Sequence, residues 1–352
     1  MSKNNSIFSQ RSFNLGILCI ALFAIPAIPG YLITPDNTSN ANQLSQKIAN
    51  QKPGFNCSFL KVDLQLAHQP STLNTWLYGK KTTWDRVPIE RVIWSNKDSI
   101  TVLLWNEDSQ VSYAKIELLA AKSGAMVHKQ TFYLGTDRNG RDMLSRLIIG
   151  ARVSLIVGFV SVFISLFIGL VIGLSAGYFG GRVDSILSWL IAVFWSVPTL
   201  LIALGLSFAF GKGLVQVLIT IGFSTWVEVA RIVRGQTLQI REQEYILSTQ
   251  IMGFKPMRII VHHILPNLKG TIVVLATTNF ASAILLEAGL SFLGLGVAPP
   301  APSWGIMVKE HLGNLVLDTY YLALIPGFAI MLMVMAFNWL AMGIRNHYDT
   351  RL

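Results

Sequence analysis

Six long apolar stretches limit what this chain can fold into: Phe13–Ile33, Val153–Ala176, Ile186–Phe210, Leu214–Ala230, Thr271–Leu290 and Tyr321–Gly343. A helix crossing the roughly 30 Å hydrocarbon core of a bilayer needs about 20 such residues, and it satisfies its own backbone where no water is at hand. Composition agrees, for only 13% of the 352 residues are charged, against about 25% in soluble domains. The net charge of +10 does not indicate nucleic acid, because the basic residues sit beside apolar stretches, where they set orientation. The first stretch is too long for the apolar part of a signal peptide. It also holds Pro26 and Pro29 and lacks a clear small-residue cleavage site, so it reads as an uncleaved helix. The expected fold class is an all-α membrane protein of six transmembrane helices with both termini on one side.

Arg231, Arg234, Arg241, Lys255, Arg258 and Lys269 crowd the connection between the fourth and fifth stretches, with Arg182 in the second-to-third turn and Arg345 and Arg351 in the tail. The short connections opposite carry only Lys212 and Lys309. The positive-inside rule puts both termini and the Arg-rich connection in the cytoplasm. The long segment from about Asp36 to Gln130 then lies outside, its own basic residues notwithstanding, since long loops cross largely regardless of charge. Alternation in Ser99–Trp105 and Val111–Leu119 predicts short strands. The segment is read as a small external domain, with the Asn/Gln/Ser-rich Thr34 to Gln51 as a linker before it.

Around Asn139–Gly150, Met143, Leu144, Leu147 and Ile148 recur at helical spacing while Arg141, Asp142 and Ser145 face elsewhere. That pattern predicts an amphipathic helix in the outer interface, with a solvated helix start as the plainer alternative. Gly169, Gly173 and Gly177 put small residues on one helix face, which suits close packing in lipid without naming the partner. Cys19 and Cys57 lie in different surroundings and suggest no disulfide, zinc or redox site.

Catalytic chemistry is scarce. His262-His263 lacks the Glu spacing of a zinc protease helix, no Gly-x-Ser-x-Gly elbow occurs, and Gly205 with Gly211-Lys212-Gly213 misses the spacing and hydroxyl of a phosphate-binding loop. No cofactor or metal and no bond-making role is expected. Two carboxylates, Glu228 and Glu287, fall inside apolar stretches, where a charge costs about 2.5–3.5 kcal/mol on insertion scales. They are pathway candidates for substrate contact or proton coupling. The alternatives are a near-interface position for Glu228, three residues before Arg231, and an interior hydrogen bond for Glu287.

After Arg241-Glu-Gln-Glu244, the segment Tyr245 to Met252 predicts a short helix ended by Gly253. A second helix opens around Pro256 and runs to Ile264, before Pro266. With the small Ser248 and Thr249, this loop reads either as a docking element for a cytoplasmic partner or as a re-entrant or purely structural loop.

Gly253 and Ile264-Leu265-Pro266 resemble the cytoplasmic loop of ABC-importer permeases, in which a Glu-Ala-Ala triplet stands six residues before the glycine. Four further stretches resemble the permease subunits of the oligopeptide/dipeptide/nickel importer family. They are Leu134-Gly-Thr-Asp-Arg-Asn-Gly-Arg-Asp142, Ala230-Arg-Ile-Val-Arg-Gly-Gln-Thr237, His263-Ile-Leu-Pro-Asn267, and Glu287-Ala-Gly-Leu-Ser-Phe-Leu-Gly-Leu-Gly296 with Pro302-Ser-Trp304. Their order and spacing match, over roughly residues 134 to 345. The resemblance implies one helix ahead of a five-helix core, in a bacterial inner-membrane importer without enzymatic activity of its own. It also implies a second homologous permease, two cytoplasmic ATPase subunits or domains, and an external solute-binding protein. The implied docking residues are Glu244, Tyr245, Leu247, Ser248, Thr249, Gly253 and Pro266. The triplet here reads Leu247-Ser248-Thr249, so leucine replaces the usual acidic residue, and the external segment is longer than the family's.

The expected organisation is a start and first helix over 1–35, an external segment over 36–133, a permease core over 134–345 with its coupling loop at about 231–269, and a tail over 346–352. ATP-driven closure of the ATPases would move helices 244–265 as levers. Peptide is the implied solute, with nickel behind it. The rival reading is a secondary transporter coupling ions through Glu228 or Glu287, but the matched internal halves of that design are not evident. A membrane scaffold or sensor is a third reading.

Overall fold

Proline and glycine decide where the first helix stops. In the computed structural model, which describes residues 10–63, 71–80, 84–95, 99–107, 109–114, 127–316 and 318–349, helix α1 (Arg11–Ala27) carries Pro26 in its last turn. Pro29 follows, and Gly30 turns the chain at φ +46°. Short turns then lead into a five-stranded antiparallel sheet in the order β4-β3-β2-β1-β5. Its strands are β1 (Phe55–Asp63), β2 (Trp84–Ser95), β3 (Ser99–Leu104), β4 (Gln110–Ala114) and β5 (Val127–Phe132), with α2 (Thr72–Tyr78) between β1 and β2. Alternation places Leu60, Ile89, Ile100, Val102 and Leu104 in one cluster, and Cys57, Phe59 and Phe132 with Ile48 in another. The strand expected at Ser99–Trp105 is β3. The one expected at Val111–Leu119 is β4, and its last five residues lie outside the described residues.

Further helices cover the five remaining apolar stretches. They are α3 (Met143–Phe179), α4 (Gly181–Trp195) with α5 (Thr199–Phe210), α6 (Leu214–Arg241), then, after the short α7 (Glu244–Ile251), α8 (Pro256–Ile259) continuing through a π-turn into α9 (Leu265–Phe292). After α10 (Trp304–His311) comes α11 (Tyr321–Asp349). Among the described residues, four spans have the length and apolarity to cross a bilayer: Met143–Phe179, Leu214–Arg241, Pro256–Phe292 and Tyr321–Tyr348. With α4 and α5 as a fifth crossing, and the shorter α1, all six apolar stretches are helical.

Two compact units divide these elements. One holds the described residues up to Phe23, Ser154–Ala298 and those from Gly327 onward; the other holds Ala24–Val153 and Pro299–Pro326.

Three details depart from the sequence expectations. The third stretch is not one straight helix, for α4 and α5 meet at 88°. Pro198 cannot donate a backbone hydrogen bond and pushes Val197 out of helical geometry. The expected interfacial helix is instead the opening of α3, and Arg141, Asp142 and Ser145 are buried rather than solvated. The region Thr34 to Gln51 is no loose linker, since Thr34, Asp36, Thr38, Ala41, Gln43, Ser45 and Ile48 are all buried. Asp36 organises it by accepting from Thr38 N (3.0 Å), Thr38 Oγ1 (2.6 Å) and Gln43 N (3.2 Å).

The glycine face of α3 packs on α6. A Cβ at Gly169 would stand 2.5 Å from Val229 Cβ, one at Gly173 would stand 2.6 Å from Ala230 O, and one at Gly177 would stand 2.6 Å from Thr237 Cβ. Burying large residues between helices brings no hydrophobic gain in lipid, so close backbone contact through small residues supplies the attraction. The bidentate pair Arg234 Nε and Nη2 to Asp184, at 2.5 and 2.7 Å, ties α6 to α4. Gly173→Leu is expected to remove the folded chain from detergent extracts, since overpacking costs about 1–3 kcal/mol or more. Gly205→Leu, at a glycine with open space around it, is expected to elute from size exclusion like the parent.

Candidate functional site

The loop between α6 and α9 is built as a platform. Helix α7 buries Ile246 and Thr249, three residues apart on one face. Ile246 enters a cluster with Leu174, Tyr178, Val233, Ile259 and Ile264. Gly253 then reverses the chain at φ +77°, its N–H donating to Gln250 O (2.9 Å) while Phe254 N donates to Thr249 O (3.2 Å). Only a residue tolerant of positive φ closes a helix this way. Asn267 Nδ2 donates to both Tyr245 Oη (3.0 Å) and His263 O (2.7 Å), linking α7 to α9. Arg258 lies 4.6 Å over the Phe254 ring, which stacks on His263.

The opposite face of the platform is apolar and open. Ile251 is 88% exposed, Met252 and Met257 are 70% exposed each, and Tyr245 and Leu247 lie beside them, nearly half exposed. Glu244, Ser248, Gly253 and Pro266 are also exposed, whereas Thr249 is buried. Ser248 Oγ is turned back onto Glu244 O at 2.8 Å. A contiguous apolar patch on a polar loop marks a protein contact.

The second helix of this loop does not end before Pro266. Residues Ile260–Ile264 form a π-turn, and α8 runs through it into α9 with Pro266 in the first turn. The wider π-turn takes up the hydrogen bond that proline cannot make, so the proline continues the helix.

Within the same unit, a cavity of about 400 Å³ opens beside the α4–α5 break. Its polar lining comes from Thr199 of α5, Ser224, Thr225 and Glu228 of α6 and Asn279 and Ser282 of α9, and its aromatic wall from Phe194 and Trp195. Glu228 is exposed near the middle of α6, rather than at its end. Glu287 is not among the lining residues. It is buried, accepting from Ser154 Oγ (3.3 Å) and Ser291 Oγ (2.7 Å). Sequence reasoning singled out both carboxylates but missed the cavity, whose one advance sign was Pro198 inside an apolar stretch.

A third cluster lies in the sheet-containing unit. Asp137 accepts from Arg141 Nε (2.6 Å) and from the backbone of Asn139 and Arg141, and lies 3.6 Å from Arg146 Nε. Glu310 of α10 accepts from Arg141 (2.8 Å) and Arg146 (3.3 Å). Trp304 is fully buried and donates to Leu147 O at 3.0 Å. Asp137, Glu310 and His311 offer ligand atoms within 4.8 Å of one another, but two guanidiniums already neutralise the carboxylates. The cluster is therefore an ion-pair network that seats α10 on the start of α3. Burial pushes the Asp142 carboxyl above its ordinary range, against the hydrogen bonds from Ser145.

These features define a multi-span membrane protein with an apolar-faced loop and a polar cavity among its helices. A family model for the binding-protein-dependent transport system inner membrane component matches residues 169–352. The dipeptide transport system permease protein DppC of Bacillus subtilis (strain 168) is 41% identical over 220 residues, 62% of this chain and 69% of that one. The oligopeptide transport system permease protein OppC of Escherichia coli (strain K12) is 39% identical over 232 residues, 66% and 76% respectively. A solved structure of the MetNI methionine ABC transporter, inward facing, overlaps 55% of this chain and 97% of its own at 21% identity and a TM-score of 0.43, too loosely to add weight. The chain belongs to the family of binding-protein-dependent transport system inner membrane components, and is a permease subunit of an ABC importer.

His311 gives the third cluster a measurable pH dependence. Burial lowers its pKa, opposed by Asp137 and Glu310 and reinforced by Arg146 and Arg138. The unfolded chain then binds the imidazole proton more readily. The contribution is intact above the ordinary value of about 6.5 and is lost as pH falls below it. Thermal unfolding of the purified protein between pH 7.5 and 5 is expected to show this loss, and His311→Leu is expected to flatten the slope.

Proposed function

We propose that the chain forms half of a translocation pathway for peptides, with its α6–α9 loop facing the cytoplasm and bound by an ATPase subunit. The carrying observation is the platform itself, with Ile246 and Thr249 anchoring α7 from below while Tyr245, Leu247, Ile251, Met252 and Met257 stand open above. A lipid-facing loop would not be flanked by Arg241, Lys255 and Arg258. Their charge favours the cytoplasmic side, with both termini there and the sheet outside. The peptide cargo is supported by the names of the dipeptide and oligopeptide relatives.

The remaining partners follow from the family: a second homologous permease completes the pathway, a binding protein delivers solute, and ATP is hydrolysed on the ATPases. Leu247 stands where an acidic residue is usual, so contact with the ATPase is mainly apolar, and the docking role of Glu244, Ser248 and Pro266 is subsidiary. Because α8 and α9 are continuous through the π-turn, motion at the platform passes directly into a membrane-crossing helix. ATPase closure thus has a rigid element to push.

Affinity purification of the chain from its native membrane in mild detergent is expected to recover a second permease and ATPase subunits. Paired Ile251→Glu and Met252→Glu substitutions should lower ATPase recovery at least tenfold while the second permease still co-purifies. Full ATPase recovery with these substitutions would rule out the platform as the docking site. Gly253→Ala, with open space for its Cβ but at positive φ, should cost about 1–2 kcal/mol locally and weaken recovery less.

A further inference from the structure

We propose that the cavity beside the α4–α5 break is a recognition site for a cationic amino group on the passing solute, with Glu228 as its charged contact. This rests on the peptide-permease reading and names what the pathway grips. Glu228 is exposed on a crossing helix, and no ion-pair partner for it exists among the described residues. Its nearest basic neighbour along the helix, Arg231, lies 4.2 Å over the ring of Trp195 in the cavity's aromatic wall, makes no ion pair with Glu228 and is not among the lining residues. A free carboxylate at this depth is costly against lipid and belongs on a wall facing water or solute.

The rest of the polar lining points the same way. Ser224 Oγ donates to Thr220 O at 2.6 Å, and Thr225 Oγ1 donates to Ile221 O at 3.0 Å. Both hydroxyls have spent their proton on their own helix and offer only lone pairs. Asn279 Nδ2 donates to Ser165 Oγ at 3.2 Å, which leaves its carbonyl oxygen as an acceptor. The cavity thus presents a carboxylate and several acceptors, beside the hydroxyls of Thr199 and Ser282, which can accept as well as donate. An ammonium, with three donors and no acceptor, is the complementary group, and a free peptide amino terminus or a lysine side chain carries one. A carboxylate or phosphate would meet repulsion. The volume of about 400 Å³ suits a residue or two rather than a whole long peptide, and the apolar wall of Ile202, Val227, Leu285 and Leu286 accepts side chains without selecting among them.

The test uses the complete importer in liposomes, with its partner permease, ATPases and binding protein, and trialanine as the transported probe. Glu228→Gln is expected to lower ATP-dependent trialanine uptake about tenfold or more, the weight of one charge-assisted contact, and Glu228→Asp to restore most of it. A second readout does not depend on uptake. In a Cys19→Ala, Cys57→Ala background, Ser282→Cys is labelled with a trimethylammonium or a sulfonate methanethiosulfonate reagent. The cationic reagent is expected to react about tenfold faster, relative to its rate on free thiol, and Glu228→Gln should abolish that preference. Equal labelling by the two reagents, or unchanged uptake in Glu228→Gln, would overturn the proposal. If the parent importer fails to take up trialanine while the cationic labelling preference holds, the peptide reading fails and the cation site stands.

Discussion

Close backbone contact between α3 and α6 is the constraint from which the membrane part of this protein follows. Lipid tails are as apolar as leucine, so helices gain nothing by hiding leucines from them, and attraction must come from contact area at short range. Gly169, Gly173 and Gly177 let α3 reach the backbone of α6 at Trp226, Ala230 and Arg234. That commits one face of α6 to burial, through Trp226, Val229, Ala230, Val233 and Thr237. The opposite face carries the exposed Glu228, Arg231, Gly235 and Gln239. A polar stripe would be costly against lipid, and Glu228 from it lines the cavity beside the α4–α5 break.

The same logic governs the loop. Leu174, Tyr178 and Val233 belong to the cluster that receives Ile246 of α7 and Ile259, Ile260 and Ile264 of the π-turned helix. The platform is held by the helix pair it packs against. Its outer face is left with exposed isoleucine and methionine, whose flexible side chains suit a partner groove. In the other unit, buried charges are tolerated because they are paired: Asp137, Arg141, Arg146 and Glu310 neutralise one another while hydrogen bonds fix their geometry.

Much of this was readable in residue order alone. All six apolar stretches became helices, because twenty apolar residues in lipid leave the backbone few other options. The helix of α7, its stop at Gly253 and two of the strands follow from local rules of propensity and period. The family's stretches are explained by contacts remote in sequence. Arg141 of the Gly-Arg-Asp stretch reaches Glu310, and Trp304 of the Pro-Ser-Trp stretch reaches Leu147 O. Neither Glu310 nor Arg146 carries any local signal of its partner, and nothing in Thr34 to Gln51 announces that Asp36 would gather it into packed structure.

Residue order by itself determined the solvent of this protein, the number and place of its apolar segments, the side its charges favour and the positions where helices must stop. Those are properties of short windows, decided by hydrophobicity, proline, glycine and charge. Tertiary structure decided which glycine face meets which helix, that Pro198 bends a crossing by 88° while Pro266 passes through a π-turn, and that Glu287 is buried while Glu228 is left open. The physical reason is the same throughout. A proline, a glycine or a carboxylate within an apolar helix states a local cost, and only the neighbours brought to it by the fold determine how that cost is met.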